Sequence, residues 1–474
     1  MHPLIQLLAV PLILIVLIWL VKNTRALTLL AAFLFWAQAA LVTHFLFPVL
    51  SGQSQTLTLL EDFSVDRLAA LFALLTQVVV AGSMTHAHIF FQHEGAHSRE
   101  DRQQMRIFYT CTTLFLVAMT SVFFCNNLGF LWISVEATTL CSAPLVYFNR
   151  TKHSLEAAWK YLMICSVGIA FALFGTMFIF ASGQHGALPH GSLNLNELIS
   201  HATLLQYPLL KIGFLFCLLG YGTKAGIFPL HSWLPDAHSE APAPASAMLS
   251  GGLLNCAQFA IWRISEVMIA AGHQALVHEI VINAGILTVL VASLFLIRQH
   301  GIKRLFAYSS IENVGLMLTA IGLGSGPLFF ILALNHSAAK VALFLLSGNI
   351  IQATGTKELS QIRGLLLINP YWTVMFVLGA FAVTGAPPFG AFVAEWQLLV
   401  NVTALNLWPA MIVILLVLTL SFISVTMHVG KLVCGTPPNK QGTNLPPLRS
   451  SLVPAALILL TLLCGITAIP SFFL

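Results

Sequence analysis

Long apolar runs separated by brief polar stretches fill this chain from end to end. A membrane-spanning helix needs about 20 mostly apolar residues, because each rises about 1.5 Å through a hydrocarbon core about 30 Å thick. By that ruler the 474 residues contain about fourteen runs, with cores near 3–21, 27–48, 67–91, 107–125, 127–148, 158–181, 208–228, 243–265, 277–297, 305–324, 327–351, 371–392, 407–430 and 452–472. The first, Pro3–Val21, has no basic stretch before it and no small-residue cleavage site after it, so it reads as a spanning helix rather than a signal peptide. Two runs are interrupted. The seventh carries Lys224 and then Pro229, and the twelfth contains GAPPFGAF at Gly385–Phe392, with Pro387 and Pro388 adjacent. A mid-helix proline removes a backbone hydrogen bond and clashes with the preceding turn, so both are expected to be broken helices. The pattern predicts an all-α membrane protein in one polytopic domain, 1–474.

Composition agrees. Hydrophobic residues make up 58% of the chain and charged ones 8%, against about 25% charged in a soluble domain. Sixteen of the 21 Lys and Arg fall in alternate loops and helix starts: Lys22, Arg25, Arg99, Arg102, Arg106, Arg150, Lys152, Lys160, Arg298, Lys303, Arg304, Lys357, Arg363, Lys431, Lys440 and Arg449. Only Arg67, Lys211 and Arg263 fall on the other side. The positive-inside rule then places the basic loops in the cytoplasm and both termini outside, which fits an even helix count. The net charge of +5 is modest and comes from loops, so nucleic-acid binding is not expected.

The eight cysteines, at 111, 125, 141, 165, 217, 256, 434 and 464, lie singly, mostly inside apolar runs. There is no CxxC pair and no glycine-rich nucleotide motif. No iron–sulfur, flavin or nucleotide cofactor is therefore expected in this chain. His86, His88, His93 and His97 cluster at the approach to, and within, the polar loop Phe91–Arg106. Clustered histidines can bind zinc or nickel, but a solvated loop is the preferred reading and no metal is assigned. The second long loop, Gly183–Tyr207, has room for a short amphipathic helix.

The candidate chemistry lies in the apolar runs. Glu136 has apolar sequence on both sides, Lys224 precedes the first break, and Glu395 follows the second. His336 and Lys340 are four residues apart and share a helix face. Ionisable groups at membrane depth are costly and usually handle ions or protons. At an effective dielectric of 20, moving two unit charges from 4 to 8 Å apart changes their interaction by roughly 2 kcal/mol. The separation of Glu136 and Lys224 can thus act as a protonation switch, and a histidine suits relay because it titrates near neutrality. Lys160, His231, His238 and Asn255 are further relay or supporting positions. Glu312 and Glu266 read as nearer helix ends, facing loops or structural. The two breaks lie five helices apart, an odd offset that reverses membrane orientation as inverted repeats require.

At these residues the sequence resembles the antiporter-like subunits of respiratory complex I, membrane-bound hydrogenases and multi-subunit cation/proton antiporters. The motifs carrying the likeness are GTKAGIFPLHSWLPDAHSEAPAPASAMLSG, the Glu136 helix, IKRLFAYSSIENVG at Ile302–Gly315, and NHSAAKVALFLLSG. SLEAAWKYLMICSVGIAFALFGT and MLSGGLLNCA look most like component F of hydrogenase-4 and formate hydrogenlyase-type complexes. The resemblance implies fourteen helices with two inverted five-helix repeats, at 105–265 and 277–430, flanked by 1–91 and 452–474. It implies that Glu136 and Lys224 form the pair of the first half-channel, that His336 and Lys340 form a central relay, and that Glu395 is the exit residue. Many relatives carry lysine or histidine on the eighth helix, where this chain has Ser250 and Asn255. The implied function is proton or sodium translocation in a multi-subunit redox complex of the bacterial cytoplasmic membrane, with other membrane and peripheral subunits as partners. The alternative is the membrane subunit of a non-redox assembly, such as a cation/proton antiporter or an inorganic-carbon uptake complex.

Overall fold

Helix follows helix almost without relief in the computed structural model, which describes residues 3–94, 99–184, 188, 190–438 and 445–468. The chain opens with α1 (Pro3–Leu20) and α2 (Thr24–Leu50), then a small hairpin, β1 (Thr56–Leu60) and β2 (Phe63–Asp66). Next come α3 (Arg67–Glu94), α4 (Arg99–Phe124), α5 (Leu128–Val146) and α6 (Lys152–Gln184). A short α7 (Leu195–Ser200) precedes α8 (Tyr207–Ala225) and α9 (Trp233–Glu240). α10 (Ala243–Met248) passes through a π turn, Leu249–Leu253, into α11 (Leu254–Ala270). Then follow α12 (Gln274–Leu296), α13 (Ile302–Gly322), α14 (Gly326–Thr354), α15 (Leu365–Ile368), α16 (Pro370–Val383), α17 (Gly390–Ala404), α18 (Trp408–Val433) and α19 (Leu452–Ala468).

Among the described residues, nine helices are long and apolar enough to cross a membrane. The chain is an integral membrane protein. Lipid cannot satisfy polar groups, so the helices richest in them must be enclosed by others. α13 carries Lys303, Arg304 and Glu312 and buries nearly every residue, as does the second half of α14. α18, by contrast, exposes Ile412, Leu415, Leu416 and Ile423. The polar interior thus lies along α8, α11, α13 and α14, and the outer helices shield it.

The structure corrects the sequence reading in several places. The fold is nearly all-helical rather than all-α, because Thr56–Leu60 pairs antiparallel with Phe63–Asp66, Leu57 opposite Val65. The alternation of Thr and Leu in TLTLL is a strand signal, but five residues escape a 20-residue ruler. In the long loop, Asn194 caps α7 and that helix buries Leu195 and Leu198, which gives the expected short helix. The seventh run breaks around Pro229 as expected, and the break opens at Gly226. α8 already ends at Ala225, where Gly226 adopts φ 80°, a left-handed C-cap that glycine enters without steric cost. The twelfth breaks between α16 and α17, across Pro387 and Pro388 as expected. Both breaks contain a cis proline peptide, Phe228-Pro229 and Pro387-Pro388. The eighth run, read as continuous helix, contains the π turn.

Candidate functional site

The first cluster is built by α5, α6 and α8. Asn127 caps α5 by accepting from the N–H groups of Gly129 and Phe130, and Glu136 follows on that helix. Lys224 occupies the last turn of α8, where a cation is favoured by the helix dipole, and is fully buried. Its Nζ donates to Thr139 Oγ1 at 2.5 Å and to Tyr161 OH at 2.8 Å. Thr139 Oγ1 donates in turn to Glu136 Oε2 at 3.3 Å, while Ser166 donates to Glu136 Oε1 at 2.9 Å. Glu136 and Lys224 therefore meet through one hydroxyl. Tyr161 is anchored by Ser142 at 2.6 Å and packs at a tilt against Trp233, ring centroids 4.7 Å apart. Trp233 Nε1 donates to the Thr223 carbonyl at 2.9 Å, a second hydrogen bond to an acceptor that the Gly226 N–H of the C-cap also reaches at 3.2 Å. The residue that opens α9 thus holds the end of α8, and Lys224 with it.

Further in lies the π turn. π turns commonly mark functional positions because they interrupt the regular hydrogen-bond ladder. The Ser250 carbonyl lies 3.3 Å from His336 Nε2. A carbonyl only accepts, so that nitrogen carries the proton in this contact, and Nδ1 is buried without a protein partner. Ser250 Oγ is 2.9 Å from Ser310 Oγ, which donates to the Phe306 carbonyl at 2.9 Å. Lys340 Nζ donates to that same carbonyl at 3.1 Å. Asn255 donates to the Gly251 carbonyl and, at 2.9 Å, to Ser337, the neighbour of His336. His238 stacks on Phe344 at 4.7 Å, and both its ring nitrogens are buried without protein partners.

The third group is acidic. Lys340 faces Glu312 across α13 and α14, and Glu312 faces Ser421 of α18 and lies within electrostatic reach of Glu395. Glu312 is 4% exposed and Glu395 7%. Glu395 is thus not at a water-exposed helix end. Its carboxylate lies directly against Gly385, whose φ is 65°, leaving no room for a side chain there.

Not every expected residue joins this line. Lys160 is 47% exposed and pairs with Glu156 at 2.6 Å and Asp236 at 3.3 Å, not with Glu136. Asp236 also holds Arg304 at 2.7 Å. His231 packs among Phe228, Phe295 and Tyr308. His86 is buried and 3.2 Å from Asn349, and His88 is 2.7 Å from Thr28, so those two rings turn to different helices. His93 lies in the last turn of α3, and His97 lies outside the described residues. Among the described residues, no three His, Cys, Asp or Glu side chains gather as a metal site needs.

The sequence reading set Glu312 near a helix end, whereas that residue is buried in the middle of α13, and it passed over Thr139, Tyr161 and Ser166. Glu312 is eight residues beyond Arg304, about 12 Å deeper at 1.5 Å per residue, and that depth was the available signal. Thr139 is three residues from Glu136 and so shares its helix face. Tyr161 and Ser166 carry no mark that separates them from other polar residues in apolar runs.

Residues 125–424 match the family described as NADH:quinone oxidoreductase/Mrp antiporter, TM. The hydrogenase-4 component F homolog of Methylacidiphilum infernorum (isolate V4) is 38% identical over 342 residues, 71% of this chain and 72% of that protein. Two solved structures share the fold. A chain of the Mrp complex from Dietzia sp. DQ12-45-1b aligns with TM-score 0.85 at 20% identity, covering 98% of this chain and 94% of that one. A chain of the membrane-bound sulfane sulfur reductase, an archaeal respiratory membrane complex, aligns with TM-score 0.84 at 21% identity and the same coverage.

Proposed function

The chain belongs to the NADH:quinone oxidoreductase/Mrp antiporter family of antiporter-like membrane subunits, and from that premise we propose that it translocates protons, or sodium ions, within a multi-subunit redox complex of the hydrogenase-4/formate hydrogenlyase or complex I type. The observation that carries this reading is the Thr139 hydroxyl between Lys224 and Glu136. A hydroxyl accepts from an ammonium while donating to a carboxylate. It can pass a proton from one to the other by turning its own O–H.

The later residues extend the path. Ser250 and Ser310 lead from the π turn to the carbonyl that Lys340 holds. Lys340 lies within electrostatic reach of Glu312, and Glu312 of Glu395, so a proton gained or lost at one of them changes the field at the next. Asn255, linked to Ser337 beside His336, stands in for the lysine or histidine expected on the eighth helix. His238 is a supporting relay position. We read the chain as fourteen spans with two inverted five-helix repeats, 105–265 and 277–430, flanked by 1–91 and 452–474. The two broken pairs, α8 with α9 and α16 with α17, support that division. The cytoplasmic membrane with both termini outside fits the distribution of basic residues. Partner subunits perform the redox chemistry, and this chain holds no cofactor.

The second reading is a non-redox proton-coupled assembly, favoured by the equally close fold of the Mrp chain. Lys224→Ala in the assembled complex is expected to abolish ion translocation or its coupling. Wild-type translocation in that variant would overturn the proposal. Mass spectrometry of the co-purifying subunits separates the readings: nickel–iron hydrogenase-like or quinone-reductase-like partners favour the first.

A further inference from the structure

Two cavities on the α5–α6 face share a wall. One is an apolar groove of about 340 Å³ lined by Leu140, Ala143, Leu155, Ala158, Trp159 and Leu162. The other, about 370 Å³, is lined by Gln104, Ile107, Phe108, Phe148 and Arg150. Pro144 and Tyr147 line both, so the two cavities adjoin at the end of α5. Leu140 is 59% exposed and Trp159 57%, so the groove is open along its length.

Arg150 holds a left-handed backbone, φ 52°, a conformation that non-glycine residues adopt only at an energetic cost. Such outliers persist where the surroundings impose them and often serve a function. Here the chain turns from α5 into α6. Arg150 N–H donates to the Tyr147 carbonyl at 3.0 Å, and Thr151 and Ser154 cap the start of α6 reciprocally at 2.9 and 3.0 Å. Arg150 is thereby pinned at the cavity wall, with exposed Lys152 and His153 next to it. Among the described residues, no carboxylate pairs with Arg150.

We propose that this double cavity is a binding site for an anionic phospholipid, with an acyl chain in the groove and the phosphate against Arg150. Basic pockets between helices on the cytoplasmic side hold acidic headgroups in this way. A free anion would leave the groove unused, and a zwitterionic lipid would leave the arginine without a net negative partner.

The test uses the complex containing this chain, reconstituted in nanodiscs. Phosphatidylglycerol or phosphatidylcholine carrying a diazirine in its acyl chain is photolysed, and adducts on residues 140–162 are quantified by mass spectrometry. The phosphatidylglycerol probe is expected to label the groove about fivefold more than the phosphatidylcholine probe, the attraction of one basic residue to an anionic headgroup. Arg150→Gln should bring the two probes level, and Arg150→Lys should keep the preference. Equal labelling of the wild type, unchanged preference in Arg150→Gln, or no lipid adduct on residues 140–162 of the wild type would each overturn the proposal.

Discussion

Lys224 and Glu136 do not touch; the hydroxyl of Thr139 receives a hydrogen bond from one and gives a hydrogen bond to the other. The arrangement is directional. The ammonium can only donate and an ionised carboxylate can only accept, so the hydroxyl proton must point at Glu136 while Lys224 is charged. Loss of a proton from Lys224 turns its amine into an acceptor and frees the hydroxyl to reverse. The state of the lysine is therefore written into the orientation of one O–H bond.

Removing that hydroxyl tests the arrangement. Thr139→Val keeps the shape of the side chain and deletes the bridge. Ion uptake into vesicles bearing the reconstituted complex should fall about tenfold, the worth of one buried hydrogen bond. Thr139→Ser should restore most of it. Full activity in Thr139→Val would mean the hydroxyl only fills space.

Glu312 is the residue that the tertiary structure adds to the proposed path. Glu312→Gln removes the carboxylate within electrostatic reach of Lys340 and leaves a buried lysine without that opposite charge. Translocation is expected to fall at least tenfold in Glu312→Gln and in Lys340→Ala. The double variant should be no worse than the weaker single one, because residues acting as a unit are not additive. Independent, multiplying losses measured in the same vesicle assay would separate the two residues.

Asp66 couples the hairpin to the bundle and makes stability depend on pH. Burial pushes its carboxyl up, but the charge and hydrogen bond of Arg263, with the N–H groups of Ala69 and Leu68, outweigh it and hold the group below its ordinary value of 3.8. Asp66 Oδ2 lies 2.6 Å from Arg263 Nη1, and Oδ1 caps α3 through Ala69 at 2.8 Å. A depressed folded value means the contribution is complete above the unfolded range and is lost as pH falls through the folded value. Thermal midpoints should therefore hold between pH 7 and about 5 and drop below about 4. Asp66→Asn keeps a capping side chain but loses the ion pair, so its midpoint should be lower at pH 7 and flatter in acid. An equal acid response in both proteins would assign the drop to other carboxylates.

Much was legible before any coordinates. Apolar run length identified a helical membrane protein, because a bilayer imposes one length on whatever crosses it. Glu136, Lys224, His336, Lys340 and Glu395 stood out because charge inside such runs is rare and costly. Proline marked both broken helices, although Gly226, not Pro229, ends α8. What the sequence could not supply was which polar groups face each other. Thr139 bridges two helices, Ser250 meets His336 from within a π turn, and Glu312 is buried because α13 is surrounded on every side. Helix period and run length act within a segment, whereas hydrogen-bond partners are chosen across segments 60 to 90 residues apart, as with Ser250–Ser310, Lys224–Thr139 and His336–Ser250. Depth in the membrane was written in the chain; the pairing of those deep groups was decided by how the helices pack.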